Sequence, residues 1–556
     1  MRKNGRKNLK RIGAGQYINE AITCINHLQK TPFRINQNVL EVLDTVWSNN
    51  VPINGLVSRE DIEQIPYPFD VAPDDMTAEQ RRELKIWKGK RAAIYQANAR
   101  NMSKRLQIER TIQVAKDYDR YDQFYYTWQY DFRGRAYAVS DFLHPQTADY
   151  GKALLEFAGG VKIQQEHEAK WLAIHGANVF GEDKISLSER ENWAYDHFDD
   201  VVKTVEKPFD FTWWMTADKP FQFLAFCCEW FQYIKALENG EEYLTHLPVS
   251  ADGSCNGLQH LSAILRDEQG GKAVNLLPAD KPNDIYYDVA MQTQKLVEID
   301  AAKGDELAKQ ILAFGIDRKL TKRSVMIVPY AGTRFACREY IAEALQDRID
   351  KGEVAQWEDT WQASQYLCGH VWDSIGTVIS SARQVMDFVK DIGKAYADKQ
   401  VPMEWRTPTG FLVIQDYPDL MTKRIKTHID GNIVKVNFMK PIDNTVCRGK
   451  TISSSSPNFI HSLDASALVR TVNKCADEGM WQFSMVHDSY GTHSPNLPLM
   501  QEILRKEFVK MYEENDVLEE LRDHAITTLG HDDLPVVPTR GNLDLRQVIN
   551  SDYFFA

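Results

Sequence analysis

The chain reads as an α+β protein rich in helix, and three features of the sequence lead there. Two short apolar runs, Leu247-Pro248-Val249-Ser250-Ala251-Asp252 and Phe483-Ser484-Met485-Val486-His487-Asp488, each end on a carboxylate and read as buried strands. Residues 17–49, 77–117 and most of 269–460 carry helix-forming sequence. Asp430-Gly431 between the β-branched residues of His428-Ile429 and Asn432-Ile433 predicts one β-hairpin. The 556 residues exceed one ordinary domain, and 43% hydrophobic content is enough for a sizeable core, so several subdomains are expected.

In chain order, six cations (Arg2, Lys3, Arg6, Lys7, Lys10, Arg11) precede the first acid, Glu20. They have no apolar helical face, so this segment reads as a nucleic-acid-contacting arm or a tail rather than a transit peptide. After the helical stretch 17–49, Pro52, Pro66, Pro68 and Pro73 mark irregular chain. Thr77-Ala78-Glu79-Gln80 fits a capping box that opens a long helix reaching about Asp117. Residues 81–120 hold twelve Lys or Arg against four acids, an excess that suits a phosphate backbone as well as a solvated face. Strand-like runs return over 121–268 and 461–556. In the hairpin Arg424, Lys426 and His428 alternate onto one face, which fits either a surface ribbon or one entering a DNA major groove.

Composition excludes some classes. No apolar stretch is long enough to cross a membrane, and no signal peptide is visible. The eight cysteines show no metal-binding spacing, so reduced thiols and no structural zinc are expected. The net charge of −12 does not exclude nucleic acid, because binding follows local fields.

The chemistry centres on Asp252 and Asp488. Each alone fits a turn or cap, but a pair of buried-strand carboxylates suits two Mg²⁺ ions, with the Gly253 carbonyl as a further ligand. Arg318 and Lys322 are four apart on one helical face and together can grip a triphosphate. Tyr330, beside Pro329 at the end of that helix, offers a phenol to a sugar hydroxyl. Asp131-Phe132-Arg133-Gly134-Arg135 puts two arginines beside a glycine that allows close backbone approach, suiting phosphate or a surface turn. Acid, base, acid in that order outlines a nucleotide polymerase.

These stretches resemble the single-subunit RNA polymerases of the T7 phage type, related to the mitochondrial enzymes. The likeness runs through 131–135, Asp252-Gly253-Ser254-Cys255-Asn256-Gly257-Leu258-Gln259-His260, Leu265 to Pro278, Arg318 to Tyr330, Pro457-Asn458-Phe459-Ile460-His461-Ser462, Val486-His487-Asp488-Ser489 and Gly541 to Arg546. It implies a right-hand polymerase: a thumb over 1–121, palm over 122–268, fingers over 269–460 with a promoter specificity loop at 418–452, and a second palm part and tail over 461–556. It implies two Mg²⁺ on Asp252, Gly253 and Asp488, and triphosphate binding by Arg318 and Lys322. Tyr330 and His461 would sense the ribose, Tyr286 would lie by the templating base, and Arg133, Arg135, Lys152 and Lys184 would contact hybrid or phosphate. Arg424, Lys426 and His428 would read the promoter. The implied partners are a DNA template and promoter, RNA product and NTPs, with no membrane, in a host bacterial cytoplasm rather than a mitochondrion.

The family's N-terminal promoter-binding domain has no counterpart, so the resemblance implies the catalytic part of a split or truncated enzyme, with a second polypeptide supplying promoter binding or melting. Ala331 stands where the family has glycine, after the unusual Pro329, and the tail reads Tyr553-Phe554-Phe555-Ala556 instead of Phe-Ala-Phe-Ala. The nearest rival family, the family A DNA polymerases, places a glutamate where this chain has Gly257 and follows its His-Asp with Glu, where this chain has Ser489.

Overall fold

Over 17–49 the single helical stretch expected from the sequence is instead helix, strand, helix: α1 (Asn19–Gln29), β1 (Phe33–Ile35) and α2 (Gln37–Ser48). Pro32 supplies no N–H and biases Thr31 toward extended backbone, which ends the first helix; the Asn36 side chain then accepts from Val39 N–H and starts the second. The computed structural model describes residues 19–71, 75–330, 332–357, 359–429 and 431–556. The basic arm 1–11, Ala331 and Asp430 lie outside the described residues.

The capping box forms as expected: Thr77 Oγ1 accepts from Gln80 N–H at 3.2 Å, and Gln80 Oε1 from Thr77 N–H at 3.0 Å. It opens α3 (Ala78–Tyr118), whose 41 residues extend about 60 Å. Most of its buried residues, Ile108, Thr111, Ile112 and Ala115, lie near its C-terminal end, so that end is anchored and much of the helix faces solvent. Residues 58–66 run along it, tied by Arg105 to the Ser58 carbonyl, Asn98 to both backbone groups of Ile62, and Trp87 Nε1–H to the Pro66 carbonyl.

The strands β2 (Trp128–Tyr130) and β3 (Ala136–Ala138) pair with each other, and β4 (Leu155–Phe157) pairs antiparallel with β1, Phe33 facing Phe157. The apolar helix α4 (Pro220–Asn239) leads to β5 (Val249–Asp252) and the wholly buried α5 (Asn256–Leu265). A helical region follows with α6 (Ile285–Ala302), α7 (Arg318–Met326), α8 (Arg334–Asp350), α9 (Thr360–Val378) and α10 (Ser380–Asp398). From it project β6 (Leu420–Ile429) and β7 (Asn432–Pro441), the expected hairpin. The chain returns through α11 (Arg448–Asp477), β8 (Ser484–Val486), β9 (Ser489–Thr492) and α12 (Leu497–Glu514). Strands β8, β9 and β5 form a three-stranded antiparallel sheet in that order. Helix dominates, as the sequence leads one to expect, and the sheets have two or three strands.

Candidate active site

The three-stranded sheet brings the two aspartates together. β5 ends on Asp252, whose register partner in β9 is Ser489, and Gly253 N–H donates to the Asp488 carbonyl at 3.0 Å. The sequence reading set Asp488 at a strand end; it occupies the two-residue turn that joins β8 to β9, where His487 adopts φ +54°. That turn closes next to the end of β5, so carboxylates 236 positions apart in the chain become neighbours.

A third segment buttresses them from the chain's last residues. Phe555 bridges backbone to Gly253, Ala556 N–H donates to the Asp252 carbonyl at 3.3 Å, and a β-carbon on Gly253 would stand 2.9 Å from the Phe555 ring. Gln259 and Gln501 hold the carbonyls of Phe554 and Phe555 at 2.8 and 2.7 Å. A side chain at 253 would therefore have to push the Phe555 ring aside.

Electrostatics separate the two acids. Crowding by the surrounding protein pushes the half-exposed Asp252 carboxyl up, but Lys219, a Ser489 hydrogen bond, Lys152 and His175 outweigh it, and the group is held below its ordinary range. Burial also pushes Asp488 up; its own backbone N–H and Arg135 oppose this, Asp252 adds like charge, and the net direction is upward. Two adjoining carboxylates, one destabilised by the other, form a hard oxygen donor set that suits a divalent cation keeping some of its own water. Gly253 can add its carbonyl, which already accepts from Cys255 N–H at 3.0 Å and has a second lone pair. Among the described residues there is no cluster of three or more His, Cys, Asp or Glu able to hold a metal by themselves. The donor set fits a metal that shares its coordination with substrate oxygens, and not a closed structural site.

The aspartates open into a cleft of about 530 Å³ whose other lining residues include Lys152, Lys184, Lys219, Tyr286, Arg318 and Lys322. Asp317 caps α7 by accepting from Leu320 N–H, which sets Arg318 and Lys322 on successive turns of one face. Arg318 pairs with Asp284, itself the cap of α6, and lies over the Tyr286 ring at 5.3 Å. Burial and then the Arg318 charge lower the affinity of Lys322 for its proton, and burial lowers that of Lys152. A cationic wall thus faces two carboxylates across a space of small-ligand size.

Tyr330 ends a short 3₁₀ turn, Val328–Tyr330, and its ring stacks on His461 of α11 with centroids 4.7 Å apart and planes 26° apart. Burial holds the His461 ring neutral, its pKa moved to about 2, with Arg135, Arg133 and His487 adding to the effect. Arg135 grips Asp464, one turn further along α11, with two guanidinium bonds; burial pushes Asp464 up to about 6 while Arg135 pulls it down. Arg133 bonds Asp131, Tyr137 and His461. Both arginines therefore spend several donors inside the protein. Arg424, Lys426 and His428 share one face of the hairpin opposite Asn437, Lys435 and Ile433, with exposed Met421, Ile425 and Phe438 on the other face. Neither these three nor Tyr330, His461, Arg133 and Arg135 are among the residues lining the cleft.

Sequence reasoning passed over Lys219, whose Nζ lies 3.6 Å from Asp252 Oδ2. The available signal was Asp218-Lys219 directly before Pro220, the first residue of apolar α4: charged groups at that position sit at a helix mouth. Asp464, which holds Arg135, carries no signal near it in the sequence.

Comparison with known proteins gives the family to which this helix-rich fold and its cleft belong. A model of the DNA-dependent RNA polymerase family matches residues 162–533, and the chain belongs to that family. It is 33% identical to T7 RNA polymerase of Escherichia phage T7, over 97% of this chain and 65% of that protein. It is 33% identical to the DNA-directed RNA polymerase of Enterobacteria phage T3, with the same coverage, and 33% identical to the mitochondrial DNA-directed RNA polymerase 1B of Nicotiana tabacum, over 100% of this chain and 54% of that protein. The chain thus spans between about half and two thirds of these relatives. Among the described residues no helix is long and apolar enough to cross a membrane.

Proposed function

We propose that this chain carries out DNA-templated RNA synthesis by nucleotidyl transfer from NTPs, with Asp252 and Asp488 as the metal-holding carboxylates. The observation that carries the reading is their juxtaposition at the end of β5 opposite Arg318 and Lys322. Two Mg²⁺ bound there would activate the primer 3′-hydroxyl and neutralise the leaving pyrophosphate. Arg318 and Lys322 receive the triphosphate, the guanidinium in a fixed fork and the ammonium as a compact charge, with Lys184 and Lys152 completing the positive wall. Tyr286, its ring fixed under Arg318, is suited to stack by the templating base. Tyr330 and His461 face the sugar.

In the same reading, α3 is a thumb whose basic, solvent-facing length follows a nucleic-acid backbone. The palm comprises 122–268 and 461–556, and the fingers 269–460. Arg135, anchored through Nε and Nη2 on Asp464, would reach the RNA–DNA hybrid only with its remaining N–H groups, and Arg424, Lys426 and His428 on the hairpin read a promoter groove. Gly257 favours ribonucleotides over deoxyribonucleotides, because its missing side chain leaves the Tyr330 phenol room to stand against α5.

The test is extension of an RNA primer annealed to single-stranded DNA template, with Mg²⁺ and each nucleotide set in turn. Template-directed extension with NTPs and poor extension with dNTPs supports the reading. A preference for dNTPs, or template-independent addition, rejects it.

A further inference from the structure

The Asp-Phe-Arg-Gly-Arg turn suggests a phosphate contact from its sequence, but the structure gives Arg133 another role. Its guanidinium is mostly covered, with 19% of the side chain exposed, and nearly all its donors are committed. Nε and Nη2 donate to Asp131 Oδ2 at 2.8 and 2.6 Å, and Nη2 also to the Tyr137 hydroxyl at 3.2 Å. Asp131 Oδ1 meanwhile accepts the backbone N–H groups of Arg133 and Arg135 at 2.9 and 3.1 Å. Gly134 turns the chain between them with φ +90°, a conformation a β-carbon would strain. Side chain and turn therefore lock each other. The remaining arm, Nη1, lies 2.7 Å from Nδ1 of His461, 328 positions along the chain.

That contact has one chemical meaning. A guanidinium in a protein stays protonated and has no lone pair, so it can only donate. His461 Nδ1 must then be the acceptor, and the neutral ring carries its hydrogen on Nε2. The Tyr330 ring stacked on the imidazole fixes the plane, and the arginine fixes which edge is which.

We propose that Asp131 and Arg133 are a positioning pair that sets His461 in the Nε2–H tautomer, so that the histidine presents a hydrogen-bond donor to the sugar of the incoming nucleotide. This rests on the reading of Tyr330 and His461 as the ribose-sensing pair. It predicts that Arg133 acts on sugar choice through His461, and not on nucleic-acid affinity through phosphate. A donor that persists without reorganising is worth more for discrimination than one that must first choose its tautomer.

The experiment uses the full chain labelled with ¹⁵N-histidine, with the His461 signals assigned by their loss in His461→Gln. Wild type should show Nδ1 unprotonated and Nε2 protonated. Arg133→Met should move His461 toward a tautomer mixture, while Arg133→Lys, which keeps a donor, should hold most of the wild-type state. In primer extension, Arg133→Met should lower the NTP-over-dNTP ratio of kcat/KM about tenfold, with primed-template Kd and its salt dependence unchanged. The double variant Arg133→Met/His461→Ala should lower that ratio little further than His461→Ala alone, since the two act as one unit. An unchanged His461 tautomer in folded Arg133→Met overturns the proposal, as does a weakened, less salt-dependent template affinity with sugar preference intact. If His461→Ala leaves the sugar preference at the wild-type value, the ribose-sensing reading fails, and the tautomer measurement still decides the positioning role separately.

Discussion

The Tyr330 hydroxyl lies 3.1 Å from the point a β-carbon on Gly257 would occupy, and the Pro329 β-carbon only 2.9 Å from it. A missing side chain on buried α5 thus makes room for the phenol. The packing joins α5 to the turn after α7, so the residue type at 257 controls where Tyr330 can stand.

Gly257→Ala should therefore displace Tyr330 or Pro329 and lower kcat/KM for NTPs by about tenfold, or about 1.4 kcal/mol, while narrowing the preference over dNTPs. Overpacking at this buried position should also cost about 1–3 kcal/mol of stability. Steady-state extension with each nucleotide set, alongside thermal unfolding, reads both effects. Wild-type sugar preference in Gly257→Ala would show that the contact does not set it.

Lys219 bears on cation binding. Its ammonium lies 3.6 Å from Asp252 Oδ2 and is the strongest of the neighbours that keep the carboxylate charged. A divalent cation entering there must compete with it. Lys219→Met should tighten Mn²⁺ binding, measured by paramagnetic resonance without nucleotide, by roughly threefold, the order expected for removing one partly solvated charge. A weaker Mn²⁺ affinity would mean that the lysine orders the site instead.

Away from the cleft, Glu156 pairs with Arg34 at 2.9 Å, and burial, with Glu229 nearby, pushes its carboxyl from 4.5 up to about 7. A group raised on folding stabilises most below its unfolded pKa and loses that contribution as pH rises through the folded value. The native state should then lose up to about 3 kcal/mol from this group between about pH 4.5 and 7. Glu156→Gln, neutral at every pH, should flatten that part of the Tm-against-pH curve. A curve parallel to wild type would contradict the assignment.

What could be read from the sequence was local. Asp252-Gly253, the Arg318 to Tyr330 segment and the capping box at Thr77 each announce themselves within a few residues, because helix faces, caps and strand ends are short-range physics. What could not be read depends on distant pairing. Strand β1 exists because Phe33 to Ile35 meet Phe157 to Leu155, and nothing near residue 33 announces that partner. The arginines of 131–135 suggest phosphate contacts when read alone; only α11, arriving more than 300 positions later, supplies His461 and Asp464 to turn them inward. The role of Lys219 likewise comes from a distant residue, Asp252, which stands 3.6 Å from it.

The central claim is that Asp252 and Asp488 hold the catalytic metals. The most direct measurement is single-nucleotide extension of a primed template by Asp252→Asn and Asp488→Asn, titrated with Mg²⁺ and with Mn²⁺ and paired with thermal unfolding to verify the fold. Each substitution removes a ligand charge and keeps the side-chain shape. Each variant should fold, with an extension rate lower by at least about 10³, a loss of about 4 kcal/mol in transition-state stabilisation, and weakened metal binding. Near-wild-type extension by either folded variant at ordinary Mg²⁺ would contradict it.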